Sequence, residues 1–331
     1  MVRNFFFLSF LFSFSSCTSV KIKSPTANKE NIKPVDVQEI IKKTDINLDK
    51  EVKEFLEKKP PLRKEKKNIP QKQIKKKKEA LPMDYPLDFI QWDRESEEIW
   101  QKVSWREKKE SFKMDLKYWG AICGSVLISN LGRKILEGKD VLHFQARLKS
   151  ADFYSFIYEV DDRIDSYVDF THKTPLRFEL NQKETKQVVS DLQLFNREKR
   201  RTYAWYHRLK KGVETKYTKK EYIPFYFQDS FSILFFIRYL PLEMNSFYQV
   251  PVVTRGKIWL IKVWVVNKES LTIEDVSYES IKLRVETHFP GVLSKKGDIE
   301  FWFSDDERRI PLKFSAKVKI GSVEGVYTRK N

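Results

Sequence analysis

Strict alternation of apolar and polar residues is the feature that most limits how this chain can fold. The clearest case is Leu312–Ile320 (LKFSAKVKI), in which the two kinds of side chain alternate without exception. The same period of two occurs in His143–Lys149, Leu176–Leu180 and Ile281–Val285. Antiparallel sheets with one buried and one wet face show this pattern, whereas parallel strands of α/β proteins are apolar on both faces. The sequence therefore predicts a mostly β domain of antiparallel strands.

One apolar segment, Gln228–Leu242 (QDSFSILFFIRYLPL), breaks this alternation. Asp229 and Ser230 are candidate N-caps, and Pro241 marks an end, so the segment favours a helix over a strand through FSILFFI. A helix that is apolar on nearly all sides must be buried. We expect it to cross the concave face of a curved sheet, an open half-barrel. A second helix is predicted within Met83–Trp105.

A curved sheet covered by an apolar helix either packs solid or leaves a cleft that suits a lipid-like ligand. The helix and the tryptophan-rich strand 257–264 (KIWLIKVW) supply the side chains for such a cleft. The candidate cleft-lining residues are Phe231, Leu234, Phe235, Arg238, Trp259 and Trp264.

The N-terminus has the layout of an export signal. Arg3 precedes the apolar run Phe5–Phe14, and two serines stand directly before Cys17. A run of about ten apolar residues is too short to cross a bilayer, which takes roughly 20, but it suits a secretory signal. The segment 1–17 resembles a bacterial lipoprotein signal in which Cys17 would carry lipid; an ordinary signal peptide is the alternative. Thr18, in place of Asp, favours the periplasmic side of the outer membrane over the inner membrane.

Residues 18–82 are predicted to form a disordered basic linker, because Lys58–Lys78 has almost no apolar residue to bury. About half of the net charge of +17 lies in this linker. Export argues against nucleic acid as its partner. Anionic lipid or a cell-wall polymer fits better, and the lysines also serve simply to keep the segment solvated. Residues 83–331 then form a single β-rich domain.

No common catalytic or cofactor motif occurs: GxGxxG, GxxxxGK[ST], HExxH, CxxC and GxSxG are all absent. We therefore expect no cofactor, no metal site and no enzymatic activity. His143, His172, His207 and His288 are predicted to lie on the surface or in loops. Cys123 is predicted to be a small buried hydrophobic residue.

Two acidic clusters, Asp161-Asp162 and Asp305-Asp306-Glu307, stand between apparent strands and precede arginines. The favoured interpretation is a pair of hairpin turns whose carboxylates accept backbone hydrogen bonds. In the alternative, the domain is a hydrolase-like enzyme on cell-wall or lipid substrates, with Asp161, Asp305 or Asp306 as acid/base groups.

Three segments together resemble a bacterial family of exported domains, domain of unknown function 3108. They are Asp161–Asp169 (DDRIDSYVD), Gln228–Leu242 and Asp298–Thr328, and the resemblance covers about residues 110–328. It implies a periplasmic or outer-membrane-associated open half-barrel, similar in architecture to periplasmic carriers that shelter acyl chains. The resemblance brings no catalytic residues.

These observations lead to one main expectation and two alternatives. The chain is expected to be an exported lipoprotein, attached to the membrane through Cys17. Its β domain would bind an envelope component, either an acyl chain in the cleft or a protein or polymer on its surface. The alternatives are the hydrolase-like enzyme and a purely structural interaction module.

Overall fold

The computed structural model describes residues 81–287, 297–317 and 321–329. The predicted signal peptide, Cys17 and residues 18–80 lie outside the described residues, as do His288 and the end of the alternating segment, 318–320.

Fifteen strands in the described part of the chain form one sheet. Their bounds are β1 (Glu110–Tyr118), β2 (Ala121–Leu136), β3 (Lys139–Ser150), β4 (Val160–Asp169), β5 (Pro175–Glu184), β6 (Gln187–Asn196), β7 (Arg201–Lys210), β8 (Val213–Tyr222), β9 (Gln228–Asp229), β10 (Phe247–Thr254), β11 (Lys257–Ile273), β12 (Val276–Thr287), β13 (Gly297–Ser304), β14 (Pro311–Lys317) and β15 (Ser322–Thr328). Three helices accompany them: α1 (Leu87–Lys102), α2 (Asp152–Ser155) and α3 (Ser232–Arg238). The prediction of a mostly β, antiparallel domain is confirmed.

The sheet is an open antiparallel meander. Strands β1 to β8 pair in chain order, strands β10 to β15 do the same, and the pairing of β1 with β15 joins the two halves. The short β9 adds to β10 in parallel and forms one edge, while β8 forms the other. No backbone pairing joins β8 to β9 in the described residues, so the sheet does not close into a barrel.

Alternation decides which face of each strand is buried. In β3, Phe144, Ala146 and Leu148 are buried on what we call the inner face, while Arg147 and Lys149 are exposed. Strands β5, β12 and β14 repeat the pattern, with Phe178, Leu283 and Leu312 among their buried residues. The inner face therefore carries the core, as the period of two predicts.

The helix predicted within Met83–Trp105 is confirmed as α1. The helix predicted over Gln228–Leu242 is real but shorter. Its first two residues form β9 instead, because the backbone of Gln228 pairs with Val252. The Asp229 carboxylate accepts hydrogen bonds from the backbone amides of Phe231 and Ser232, at 2.8 and 2.7 Å. The helix begins after Asp229, because this carboxylate satisfies the backbone amides that precede the first helical turn.

Helix α3 also ends early, at Arg238. A proline ring disfavours the helical conformation of the residue before it. Pro241 therefore excludes Leu240 from a regular helix. The amides of Tyr239 and Leu240 instead donate to the carbonyls of Phe236 and Ile237, both at 3.2 Å, in a tightened last turn.

At the open side of the sheet, where no backbone pairing joins the edges, side-chain contacts bring the two halves together. The turn between β10 and β11 lies against β6, where the amide of Arg255 donates to Gln193 Oε1 at 2.8 Å and Arg255 Nε donates to Asp191 Oδ2 at 2.9 Å. The next residue, Gly256, lies so close to Lys219 of β8 that an added Cβ would meet its side chain at 3.0 Å. Asp191 and Arg255 are both buried.

Candidate functional site

Helix α3 lies between two hydrophobic clusters of the inner face. We call them the β1–β6 cluster and the β10–β13 cluster, after the strands that supply most of their residues. Phe231 and Phe235 belong to the first cluster, and Phe236 and Ile237 belong to the second. Because α3 is apolar on opposite sides, it can serve both clusters at once.

Four side chains pack against both clusters and yet remain only partly buried. They are Trp105, Leu234, Tyr239 and Phe301. They therefore keep apolar surface accessible where the two clusters meet. We call this set the interior seam.

Aromatic contacts position the seam. The ring of Trp105 lies 5.5 Å from that of Phe144 in the β1–β6 cluster and 6.1 Å from that of Phe236 in the β10–β13 cluster. Tyr239 meets Trp105 edge to face at 5.6 Å, and burial raises the pKa of Tyr239 to about 12. A seam tyrosine of this kind stays neutral at physiological pH.

Two polar atoms in the seam lack a hydrogen-bond partner within the described part of the chain, the buried indole Nε1 of Trp105 and the hydroxyl of Tyr239. A buried polar group without a partner is costly and rare in native proteins. The seam therefore combines apolar walls with two uncharged hydrogen-bonding groups. Both groups can donate to a carbonyl, ester or carboxyl oxygen.

The predicted cleft residues of α3 divide by position. Phe231 and Phe235 are enclosed, and Phe235 stacks on Phe144 at 3.9 Å, so they form the floor of the core rather than an open surface. Of the four residues predicted around α3 to line the cleft, only Leu234 lies in the seam. Arg238 is 1% exposed and holds α3 in place: its guanidinium donates to Glu110 at 2.8 Å and to the carbonyls of 308 and 309.

The two predicted cleft tryptophans lie on opposite faces of β11. Trp259 lies on the same face of the strand as the buried Ile261 and Val263, and it is partly exposed. Trp264 is on the other face, where its ring lies 5.2 Å from Phe247 and under the guanidinium of Arg284 at 4.5 Å. A period of two cannot place both residues in one cleft, so the prediction for Trp264 is wrong.

A buried carboxylate pair that the sequence reasoning missed lies on the inner face at one end of β4 and β5. Asp162 was predicted to lie in a turn, and this is wrong, because both Asp161 and Asp162 lie within β4. Burial, followed by the nearby Glu184 carboxylate, raises the pKa of Asp162 to about 8. Gln182 donates to Asp162 at 2.9 Å, and Tyr158 donates to Glu184 at 2.5 Å. Continuing the alternation of Ile164 and Val168 back to Asp162 would have revealed its inward position.

His143 is also buried, contrary to the prediction of a surface histidine. It lies on the outer face of β3, where its Nε2 is 2.7 Å from Asp165 Oδ1 and its ring stacks on Tyr167 at 4.4 Å. Burial alone would raise the pKa of Asp165, but hydrogen bonds from His143, Arg163 and Gln145 outweigh it and lower that pKa. His172 and His207 are partly or largely exposed, as predicted.

The second acidic cluster does form the predicted turn, between β13 and β14. Asp306 Oδ1 accepts from the amides of Arg308 and Arg309, both at 3.0 Å. Asp305 forms ion pairs with Lys268 and Arg309, and its pKa is lowered, first by the hydrogen bond from Lys268. These carboxylates stabilise a turn.

The sequence itself matches the model of one protein family. Residues 116–328 match the family described as "Protein of unknown function (DUF3108)". The chain belongs to this family. The matched residues run from the end of β1 to the end of β15, so the DUF3108 domain contains the sheet, α3 and three of the four seam residues, while Trp105 precedes it. No curated protein matches the sequence.

Solved structures show distant likeness to this fold. One is a β-barrel-like protein of domain of unknown function DUF1849 from Brucella abortus, with a TM-score of 0.44, 11% identity, and coverage of 67% of this chain and 95% of that one. Another is a candidate exported protein with a YmcC-like fold from Bacteroides fragilis, with a TM-score of 0.31, 8% identity, and coverage of 68% and 97%. A third is a candidate lipoprotein from Parabacteroides distasonis, with a TM-score of 0.29 and 10% identity. The match covers 67% of this chain and 94% of that one. Likenesses this remote carry no functional argument.

Within the described part of the DUF3108 domain and its preceding helix, no group of three or more His, Cys, Asp or Glu residues is arranged to hold a metal ion. No helix there has the length and apolar character to cross a bilayer. Cys123 is buried, and burial raises the pKa of its thiol to about 11, so the prediction of a small hydrophobic residue is confirmed.

Proposed function

We propose that the chain is an exported, lipid-anchored envelope protein whose DUF3108 domain binds an acyl chain along the interior seam. The observation that carries this proposal is the seam itself. Four side chains contact both core clusters and still keep accessible surface, and one of them, Leu234, lies on the aromatic-rich helix α3.

An acyl chain matches the chemistry of the seam. Each methylene that leaves water contributes about 0.8 kcal/mol, so a chain lying along apolar side chains gains affinity from its length alone. Trp105 Nε1 and the Tyr239 hydroxyl supply directional contacts to oxygens at the polar end of the chain. Both groups are uncharged, since burial keeps Tyr239 neutral.

In this proposal, the N-terminus directs the protein to its place in the cell envelope. Cys17 would bear the lipid anchor and Thr18 would direct the protein to the outer membrane, facing the periplasm.

The seam is tested by filling it. Leu234→Trp adds volume at the junction of the two clusters, and Val266→Trp places the same side chain on the exposed face of β11. We expect displacement titrations with a fluorescent fatty acid to show about tenfold weaker binding for L234W. Binding by V266W should match the parent. Equal binding by all three proteins would contradict the proposal.

The anchor has an independent test. Cys17→Ser should move the protein from the membrane fraction of the producing bacterium to the soluble periplasmic fraction. Unchanged membrane association would show that Cys17 is not the anchor, and this outcome would leave the seam titration unaffected.

A second candidate function, a hydrolase, rests on the raised pKa of Asp162, since carboxyls that stay protonated at neutral pH serve as general acids in many enzymes. Hydrolysis of an acyl ester by the purified protein that disappears in Asp162→Asn, but persists in Asp161→Asn, would favour this alternative over a carrier.

A further inference from the structure

We propose that residues 84–103, which contain helix α1, form a lid on the interior seam, hinged at Ser104 and latched to the sheet by Arg200. This inference rests on the proposed function, because the lid would admit the acyl chain to the seam. The lid precedes the matched family residues 116–328, so it lies outside the part of the chain that defines the family. Lids admit a ligand and then separate it from water.

The last turn of α1 lies directly beside the seam. The Trp100 ring is 4.3 Å from the Phe236 ring, and the seam residue Trp105 is 6.1 Å from the same Phe236 ring. Val103 is buried in the β10–β13 cluster as well. A movement that carries Trp100 and Val103 away therefore uncovers Phe236 and the adjoining side of the seam.

Helix α1 is lightly packed for its length. Of its 16 residues, Ser96 and Trp100 are the buried ones, and no side chain of the described residues caps its N-terminus. Most helices owe their stability to a packed apolar face, and an isolated helix of this length is marginal in water. Elements with few buried apolar contacts open locally at low free energy. Helix α1 therefore has the packing of a segment that can detach while the sheet stays folded.

Arg200, in the β6–β7 turn, is the centre of the contact that holds the lid closed. Its Nη1 donates to Asp93 Oδ2 at 2.7 Å and to the Tyr85 hydroxyl at 3.0 Å. Asp93 also accepts the backbone amides of residues 225–226, and the Tyr85 hydroxyl donates to the carbonyl of Ile223 at 3.0 Å. Loss of Arg200 would leave the largely buried Asp93 carboxylate without its cation, so both bonds to the lid weaken together.

Two further contacts complete the attachment of the lid. At its start, the Tyr222 hydroxyl donates to Asp84 Oδ1 at 2.6 Å. Near its end, Trp100 Nε1 donates to the carbonyl of Lys173 at 3.3 Å, and Lys173 Nζ donates to the carbonyl of Trp100 at 2.8 Å. These bonds are separate from the strand pairing, so the sheet keeps its register when they break.

The chain on the other side of the hinge is fixed to β2. Asn130 Nδ2 donates to the carbonyl of Arg106 at 2.9 Å, and Arg133 Nη1 donates to Glu107 Oε1 at 3.0 Å. Ser104 lies between this fixed segment and the lid, is exposed, and belongs to neither a helix nor a strand. Hinges are a few residues of this kind that absorb a change in backbone angles. Rotation at Ser104 moves the lid and leaves the seam in place.

Stopped-flow mixing of the full chain with a fluorescent fatty acid tests the lid. When a site must open before it binds, the observed association rate constant reaches a plateau at high ligand concentration, set by the opening rate. We expect this plateau in the parent, and Arg200→Met should raise it about tenfold. The latch forms again over the bound chain, so exit speeds up equally and Kd stays within about threefold of the parent value.

Two variants extend this comparison. Lys173→Met removes a contact near the hinge without changing the lid sequence, so it should also raise the plateau. Arg94→Met removes the same charge as Arg200→Met, but from the exposed side of α1, and should keep the parent plateau.

Amide hydrogen exchange reports on the lid without ligand. Arg200→Met should speed exchange in residues 87–102 by at least about tenfold, while exchange in β3 and β4 stays at the parent rate. Exchange of α1 in this variant at the parent rate would overturn the lid.

Two kinetic results would also overturn it. One is an association rate constant that rises linearly with ligand concentration in the parent, since entry would then need no opening step. The other is an equal plateau in Arg200→Met and Arg94→Met. Binding of the fatty acid with either result would overturn the lid alone, whereas absence of binding by the parent would overturn the proposed function and the lid with it.

Discussion

At the scale of single residues, Gly325 shows how closely the core is packed. It faces Phe314 across the β14–β15 pair, and a Cβ on Gly325 would lie 2.0 Å from the Phe314 ring. We predict that Gly325→Ala lowers the free energy of unfolding by about 1–3 kcal/mol, because the ring must move. Chemical denaturation measures this, and adding Phe314→Leu should recover part of the loss. The prediction fails if G325A unfolds like the parent.

Asp162 supplies a pH dependence at the same scale. Its pKa is about 8 in the folded state, against about 3.9 for an unfolded chain, so between these values the folded state holds the extra proton. This residue's contribution to stability is therefore present at low pH and is lost as pH rises towards 8, by up to about 1.4 kcal/mol per pH unit. We predict that Asp162→Asn removes this decline.

The matched control for this measurement is Asp161→Asn, at the exposed neighbouring position of the same strand. Unfolding free energies measured from about pH 5 to 8 should fall in parallel for the parent and D161N, and more gently for D162N. Parallel slopes for all three proteins would show that the Asp162 carboxyl titrates normally.

Individual residues were predictable where their neighbours were apolar. Cys123 was predicted to be buried because a lone thiol usually behaves as a small hydrophobic residue, and the inner-face positions of β3 followed from alternation. His143 and Asp162 did not, because a polar residue was assumed to face water. His143 is buried beside Asp165 of β4, and Asp162 is buried beside Gln182 and Glu184 of β5. Such partners become neighbours only once the strand register is known.

At the scale of elements, helix α3 depends on Arg238. Its guanidinium is buried and donates to Glu110 and to two carbonyls of the β13–β14 turn, all at 2.8 Å. We predict that Arg238→Leu lowers the free energy of unfolding by about 3–5 kcal/mol, since it leaves Glu110 without its charge partner. Arg133→Leu, which breaks exposed ion pairs with Asp140 and Glu107, should cost much less stability, because solvent screens these pairs.

Adding Glu110→Gln to Arg238→Leu should restore part of the lost stability, because the stranded charge is then removed. Equal stability of R238L and R133L in urea titrations would show that Arg238 does not hold the helix in place.

The elements themselves were the most predictable level of this structure. Alternation identified parts of β3, β5, β12 and β14, and α1 was found within its predicted bounds. Helix α3 was shortened at its start by the pairing of Gln228 with Val252, which no local signal records, and at its end by Pro241. The face of Trp264 was predictable, because an odd spacing of five places it opposite Trp259 on the same strand.

At the scale of the whole molecule, the open side of the sheet is held by the buried ion pair of Arg255 and Asp191, whereas the pairing of β1 with β15 joins the two halves elsewhere. Gln193 completes this contact, and the guanidinium lies 4.4 Å from the centre of the Tyr206 ring. We predict that Arg255→Leu speeds amide hydrogen exchange in β6, β7 and the β10–β11 turn by at least about tenfold, because it leaves a buried carboxylate uncompensated.

Exchange in β1, β2 and β15, far from this contact, should stay close to that of the parent. The double variant Arg255→Leu with Asp191→Leu should recover protection, since an apolar pair of similar size often replaces a buried ion pair without loss. Uniform exchange in R255L and the parent would show that other contacts hold the two halves together.

The whole molecule was the least predictable level. Alternation and the resemblance indicated an open half-barrel with a helix inside, but the meeting of Arg255 with Asp191 joins residues 64 positions apart. The interior seam likewise draws its four members from a loop, a helix and a strand distant in sequence. Neither feature leaves a local pattern for the sequence to reveal.

The central claim is that the seam holds an acyl chain, and native mass spectrometry of the full-length protein purified from a bacterial envelope tests it most directly. The account predicts that the parent carries an extra mass equal to that of a bound acyl lipid, lost on mild collisional activation, and that Leu234→Trp lacks it while Val266→Trp keeps it. A parent protein without added mass, or the same added mass in L234W, would contradict the account.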